Sequence, residues 1–456
     1  MSTIGNFLTS ALTYILAISL LVAVHEFGHF WVARRLGIKT LRYSIGFGRV
    51  LWSRYGKDGT EYAVSAIPLG GYVRMLDERD SQVAEIDLPR AFNRQPVWKR
   101  VAVLFAGPAF NFLFAVVAYW VLFVAGVPGL TPVVGTVESG SLAASAGLRA
   151  DDRIVSVAGR QTPTREAALE GILDALLNDG VVNMHVVGTD RSERDVTLYA
   201  EGRSRELTEP NALFDGLGFD FWTPKSPPVL GAVSSDGAAA QAGLQAGDRI
   251  LKFDGVEIAS FEQLAGIIAE LPGKTVQVEY EHDGVASTMS VQLGTAEVSG
   301  RRIGVLGVSW TRAPFPESMQ VVQQDPPFAA LGKAFTETGA KIAFTFKIVW
   351  KLIVGEVSVR SISGPIGIAA VAGAAVHYGF TVFVSLLAVI SISVGALNLL
   401  PVPILDGGQI VYQLAELLKG GPVSERAQLL GQQVGIVLLV LLMGLALFND
   451  LAPHLS

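Results

Sequence analysis

Four stretches of the sequence are apolar over the length of a bilayer crossing, and they restrict the fold before any motif is considered. The first runs from about Ile4 to Val32 and the second from Val101 to Val127. The third begins near Phe380 and is interrupted by PVPILDGG; the fourth runs from about Val434 to Phe448. A helix crossing a hydrocarbon core about 30 Å thick needs roughly 20 apolar residues, which the fourth run reaches only with its flanks. Half of the 456 residues are hydrophobic and only 17% are charged. With a mean hydropathy of +0.43, the chain is too apolar for an ordinary soluble protein of this size. A cleaved leader fits the first run poorly: no Lys or Arg precedes Arg34, the run is long, and no small-residue cleavage site follows.

Basic residues orient the crossings. The loop after the first run carries Arg34, Arg35, Lys39, Arg42, Arg49 and Arg54 and ends at Lys99 and Arg100. The loop between the last two runs carries Lys419 and Arg426, and both chain ends lack Lys and Arg. The positive-inside rule therefore places both loops in the cytoplasm and both termini outside. The long segment between the second and third runs then also lies outside, which in a Gram-negative cell is the periplasm. The expected location is the inner membrane, with the lipid bilayer as partner. A net charge of −6 argues against nucleic acid. The absence of cysteine excludes a disulfide framework or thiolate metal site, so His, Asp or Glu must hold any metal.

The outer segment contains a duplication. PVVGTVESGSLAASAGLRADDRIVSVAGR begins at Pro132, and PVLGAVSSDGAAAQAGLQAGDRILKFDGV begins at Pro228. Ala146-Gly147-Leu148 aligns without a gap on Ala242-Gly243-Leu244, and Asp152-Arg153-Ile154 on Asp248-Arg249-Ile250. Each copy reads as a strand, a small-residue helix, a turn, and further alternating strands. This pattern resembles the PDZ domain in the permuted form of bacterial membrane proteases. The resemblance implies that Leu217-Gly218-Phe219 and Leu306-Gly307-Val308 form loops offering backbone N–H groups to a peptide C-terminus, which would add as a strand. Plain glycine turns in a structural domain are the other reading. Asp151 stands where the second copy has Gly247, and Asp tolerates a left-handed turn less easily.

Ionisable groups inside the apolar runs carry the chemistry. LVAVHEFGHFWVARR places His25 and His29 four residues apart, on one helix face. Two such imidazoles can bind one Zn²⁺ and leave room for a third ligand and a water. Glu26 between them can take that water's proton. Polar groups at membrane depth usually mark a site. Asp406 is the only acid between Glu356 and Glu416 and lies where Pro401, Pro403 and Gly407-Gly408 break the third run. A carboxylate there needs a cation or a donor, and its depth below the outer face matches that of His25.

HExxH in the first run, GPxxN in the second (Gly107, Pro108, Asn111), NxxPxPxLDG in the third and tandem PDZ-like repeats between them resemble the site-2 protease family. The resemblance covers nearly the whole chain. It implies a zinc-dependent intramembrane endopeptidase with His25, His29 and Asp406 as ligands and Glu26 as general base. It also implies that Asn398 helps to hold the substrate strand and makes Asn111 a substrate-binding candidate; a hydrogen bond between helices is the other reading of Asn111. The implied substrates are a membrane-spanning anti-sigma factor of the sigma-E stress response, already cut by a periplasmic site-1 protease, and remnant signal peptides. A PDZ-bearing scaffold with an inert metal site and a zinc transporter remain open as other classes.

LRYSIGFGRVLW and EYAVSAIPLGGYVRM alternate like strands and are too apolar for a plain loop. The family places a re-entrant β element here, whose edge can pair with an unwound substrate; Gly70, Gly71 and Tyr72 are the candidates, and a hairpin packed on the membrane face is the other reading. Phe328, Leu331, Phe335, Ile342, Phe346 and Ile353 recur at helical spacing among lysines, as on an interfacial helix lying on the outer leaflet. The expected fold is a polytopic α-helical membrane protein with four transmembrane helices, a membrane-associated β element and two periplasmic α+β PDZ domains. Its expected parts are transmembrane helix 1 (1–36), the β region (37–97), transmembrane helix 2 (98–127), PDZ domains at 128–222 and 223–312, the amphipathic helix (325–360), transmembrane helix 3 (364–418) and transmembrane helix 4 (427–449).

Overall fold

The computed structural model describes residues 3–79, 83–298 and 301–455. Helix α1 (Thr3–Arg35) ends on Arg34 and Arg35, cations suited to the negative end of a helix dipole. Two long antiparallel strands follow, β1 (Thr40–Tyr55) and β2 (Glu61–Met75). Each folds on itself. Ser44 pairs with both Ala63 and Tyr72, whereas Ser53 pairs with Ala63 and Trp52 with Val64. The hairpin is therefore a four-stranded sheet, ordered as the second half of β1, the first half of β2, the first half of β1, and the second half of β2. Gly46 and Gly48, at φ of 90° and 83°, make the corner in β1. The final edge, Gly71–Met75, runs beside α1; among the described residues no strand pairs on its other side.

Helix α2 (Val97–Ala125) packs on α1 through two glycines. A Cβ on Gly28 would collide with the Ala106 carbonyl, and one on Gly107 would fall 2.7 Å from His25 Nε2. Small residues at such a crossing let backbones approach where hydrocarbon gives no hydrophobic drive.

Beyond α2 the chain enters the duplicated segment through Val127–Leu130 and leaves through Gln320–Gln323, and these two strands pair with each other. The repeats share one topology. In the first, sheet order is Arg160–Gln161, Arg153–Val157, Val181–Val187, Glu193–Tyr199, covered by α3 (Arg165–Asn178). In the second it is Val256–Glu257, Arg249–Phe253, Thr275–His282, Val285–Gln292, covered by α4 (Phe261–Ala269). Each has its own core, around Ile154, Ile172 and Met184 in one and Ile250, Phe253 and Leu264 in the other. Asp151 does adopt the left-handed turn of Gly247, with φ of 66° against 95°. After their fourth strands the repeats diverge: short helices in the first (Ser204–Leu207, Ala212–Leu217), a hairpin in the second (Gly294–Val298, Arg301–Val305).

Helix α5 (Pro327–Ile353) buries Ala330, Ala334 and Thr338, and packs its small residues with Tyr119 and Leu122 of α2 and Ala388 and Ile392 of the third apolar run. Lys341 pairs with Glu170 and Lys347 with Asp174, both on α3, and Lys347 also reaches Asn178 at 2.7 Å. Two of the four lysines on this helix thus face the acidic side of the first repeat, whereas Lys333 pairs with Asp325 and Lys351 with Glu356.

Residues 364–418, expected as transmembrane helix 3 with a break at PVPILDGG, form three helices. These are α6 (Pro365–Tyr378), α7 (Phe380–Asn398) and α8 (Asp406–Lys419). Gly379, at φ of 108°, breaks the first junction, and Pro401 and Pro403 break the second. The last helix, α9 (Glu425–Leu455), is anchored by Asp450, whose carboxylate accepts from the Gly364, Ile366 and Gly367 amides at 2.8–3.0 Å and caps α6. Among the described residues, helices α1, α2, α7 and α9 are long and apolar enough to cross a membrane.

One paired feature separates the repeats. A buried aspartate closes the same turn in both, Asp152 accepting from the Arg149 amide and Asp248 from the Gln245 amide, each at 2.8 Å. The first is neutralised by Arg194, the second by His282 Nδ1 at 2.5 Å. That hydrogen bond, helped by the Asp283 carboxylate, holds the half-exposed His282 above the usual imidazole pKa. A raised folded-state pKa makes the pair's contribution full below the unfolded value, about 6.5, and lost as pH rises through the folded one. Hydrogen exchange corrected for intrinsic rate should therefore show protection at 246–250 falling as pH rises above about 6.5, while 150–154 is unchanged. His282→Arg should abolish the difference.

Candidate active site

Helix geometry brings His25 and His29 to one face of α1, both buried. Their Nε2 atoms lie 3.2 Å apart. Asp406 is the first residue of α8, and its Oδ2 lies 3.0 Å from His25 Nε2 and 3.4 Å from His29 Nε2. The backbone break delivers it there. Leu405 is extended, Gln409 holds the Pro403 carbonyl at 2.8 Å, and Gly407 and Gly408 lie against the Leu399 and Val402 carbonyls with no room for a Cβ.

The three donor atoms suit a zinc ion. Tetrahedral ligands at zinc bond lengths are separated by about 3.4 Å, close to the spacings observed. Two neutral imidazoles and a carboxylate are an ordinary donor set for zinc, and buried Asp406 Oδ2 has no hydrogen-bond partner of its own. His29 Nδ1 lies 2.7 Å from the Val103 carbonyl, which holds its ring orientation.

Glu26 points from the next position on α1 into a cavity of about 490 Å³ that His25, His29, Gly70, Gly71, Tyr72, Asn398 and Asp406 also line. A Cβ on Gly71 would lie 3.3 Å from Glu26 Cγ. The open sheet edge thus runs directly past the acid. Tyr72 stacks on Phe47 and accepts from Arg42 at 2.9 Å, which stiffens that edge. Asn398 ends α7 on the cavity wall.

Asn111 is placed differently from the substrate-binding expectation. It is fully buried, does not line the cavity, and contacts His25 Nδ1, because the helical twist of α2 turns it toward α1. In the repeats, Leu217, Phe219 and Leu306 are core side chains, and Gly218 and Gly307 are left-handed at φ of 78° and 77°. The Gly218 amide already donates to the Phe214 carbonyl at 2.7 Å. Along the corresponding loop of the second repeat lies a groove of about 660 Å³ between α4 and residues 303–310.

Two contributors lay beyond sequence reasoning. Gly107 presses its backbone against both imidazoles; the GPxxN pattern marked it without a reason. Arg100, 7% exposed, grips Glu416 of α8 through both Nη atoms and so ties the Asp406 helix to α2. In the sequence, Arg100 stands only as one of two adjacent cations, with Lys99, at the start of an apolar run.

A profile of Peptidase family M50 matches residues 13–442. The chain belongs to this family. M50 peptidases are metalloendopeptidases, and His25, His29 and Asp406 are grouped closely enough to hold a metal ion. The regulator of sigma-E protease RseP of Salmonella typhimurium (strain 14028s / SGSC 2262) is 41% identical over 438 residues, covering 96% of this chain and 97% of the relative. A Vibrio cholerae chain named as a candidate zinc metalloprotease is 39% identical over 448 residues, covering 98% and 99%. The PDZ domain of an SdrC-like protein from Listeria monocytogenes matches 19% of this chain and 88% of its own at 26% identity, with a TM-score of 0.17.

Two substitutions test this construction. Gly107→Ala would push a methyl between the imidazoles, and a displacement of that size should lower peptide-bond cleavage about 10²-fold, with reduced metal content and unchanged helical circular dichroism. Arg100→Ala should lower stability by roughly 2–3 kcal/mol, less than for a fully buried pair because Glu416 is partly exposed. Thermal unfolding in detergent would read this, and Arg100→Met with Glu416→Leu should recover most of it.

Proposed function

We propose that this chain is a zinc-dependent intramembrane endopeptidase that makes the second cut in regulated intramembrane proteolysis. The observation that carries this reading is the meeting of His25, His29 and Asp406 beside Glu26 at an open sheet edge. His25, His29 and Asp406 would hold the ion, which when bound supplies Lewis-acid polarisation of a carbonyl and a lowered pKa for water.

The remaining work falls to this chain's residues. A transmembrane helix hides its peptide bonds in internal hydrogen bonds and must unwind before cleavage. The Gly71–Met75 edge offers replacement backbone partners to the extended segment. Gly70 and Gly71 let that segment approach, and the amide of Asn398 at the end of α7 grips it from the opposite wall. Glu26 takes a proton from the attacking water and passes it to the amide nitrogen as the peptide bond breaks. The apolar helices around the cavity limit water to what the reaction needs.

Topology and substrates follow as parts of the same reading. Basic residues place the cytoplasmic face at Arg34–Arg35, with both termini and the repeats in the periplasm of the inner membrane. The names of the relatives support a role in sigma-E regulation, with a membrane-spanning anti-sigma factor as substrate; a first cut by a periplasmic site-1 protease and remnant signal peptides as further single-span substrates belong to the same proposal. The loops at Leu217–Phe219 and Leu306–Val308 would receive or screen the cut end, the second along its groove of about 660 Å³.

Glu26→Gln is the direct test. It should leave bound zinc at wild-type stoichiometry and lower cleavage of a single-span reporter in liposomes by about 10²–10⁴-fold. Cleavage at the wild-type rate would remove Glu26 from the base role. Asp406→Ala should instead lose zinc and activity together.

A further inference from the structure

The two imidazoles are not held alike. His29 Nδ1 faces the Val103 carbonyl at 2.7 Å. A carbonyl only accepts, so Nδ1 carries the proton and the Nε2 lone pair is free to face Asp406. His25 Nδ1 has a side chain for its neighbour: the amide of Asn111, 3.3 Å away on a residue with 0% exposure. As placed, the amide nitrogen faces the ring, and the amide oxygen, equally buried, has no hydrogen-bond partner. An amide nitrogen donating to Nδ1 would force the His25 proton onto Nε2. That is the atom 3.0 Å from Asp406 and 3.2 Å from His29, where a metal needs a lone pair.

Amide oxygen and nitrogen are nearly the same size, and a half-turn exchanges them without disturbing the packing. Turned over, Asn111 Oδ1 accepts the Nδ1 proton of His25, the orphaned oxygen gains its donor, and Nε2 is left bare.

We propose that Asn111 is a positioning residue of the metal centre. Its amide oxygen accepts the His25 Nδ1 proton and selects the tautomer whose Nε2 faces the ion. The proposal rests on the zinc reading above. It gives α2 one role toward both histidines, through the Val103 carbonyl for His29 and the Asn111 side chain for His25. Helix α7 steadies the arrangement from behind, the Ser391 hydroxyl donating to the Asn111 backbone carbonyl at 2.9 Å. Asn398, on the cavity wall, keeps the substrate role; Asn111 has no surface there.

The test is zinc affinity of the full-length protein in detergent, read by competition with a chromophoric chelator and paired with thermal unfolding of the metal-free form. Asn111→Leu keeps the volume and removes the acceptor; it should bind zinc about 10–100-fold more weakly, with little change in metal-free stability. Asn111→Asp keeps the acceptor and removes the donor, and should bind zinc close to wild type. Wild-type affinity in Asn111→Leu, or a loss in Asn111→Asp as large as in Asn111→Leu, would overturn the proposal. If Asn111→Leu does not fold, Asn111→Asp decides alone, a tenfold or greater loss counting against it. Failure of the zinc reading looks different, since the wild type would then take up no zinc.

Discussion

Two imidazoles and a carboxylate with donor atoms 3.0–3.4 Å apart are tolerable in apolar surroundings only when something holds them there. The close crossing of α1 and α2 does this. Gly28 and Gly107 remove the side chains that would separate the helices, and the imidazoles lie against bare backbone. Everything that delivers Asp406 is arranged around that contact. The proline break ends α7 early enough, Gly407 and Gly408 let α8 start tightly, and Arg100 ties the far end of α8 back to α2. Neither the three donor side chains nor Glu26 would stay in place on a looser helix pair.

The same crossing explains why the sheet lies where it does. Its final strand runs beside α1, so the edge with no strand on its other side among the described residues passes Glu26. An open edge is ordinarily a hazard for aggregation. Here the cavity wall and the neighbouring helices shelter it. On the opposite side, α5 joins the first repeat to the helices, with small residues packed inward and lysines paired to Glu170 and Asp174. The repeats are thus coupled to the helical body chiefly through the first of them.

Much of this was legible in the sequence, for specific reasons. Apolar runs are read directly because lipid admits few alternatives, and the duplication because two copies in register are hard to produce by chance. His25, Glu26 and His29 were legible because helix periodicity alone puts the two histidines on one face. For Asn111 the sequence left two readings open, substrate contact and a hydrogen bond between helices, because a motif gives a residue's type and not the direction in which it points. Residues 364–418 were read with a break only at PVPILDGG for a related reason: hydropathy does not register the φ of Gly379. Helix α5 kept its amphipathic pattern, but pattern does not say whether the lysines meet lipid or protein.

By itself the sequence determined the elements and the chemistry available to them: which segments suit lipid, which repeat folds twice, and which residue types can bind a metal and move a proton. These follow from local rules of periodicity and solvation that act within a segment. Only the tertiary structure decided that Asp406 reaches the histidines across more than three hundred residues of chain, that Gly107 lies beneath them, and that Asn111 faces His25. Those relations depend on how closely α1, α2 and α8 approach, and that distance is set by packing between segments.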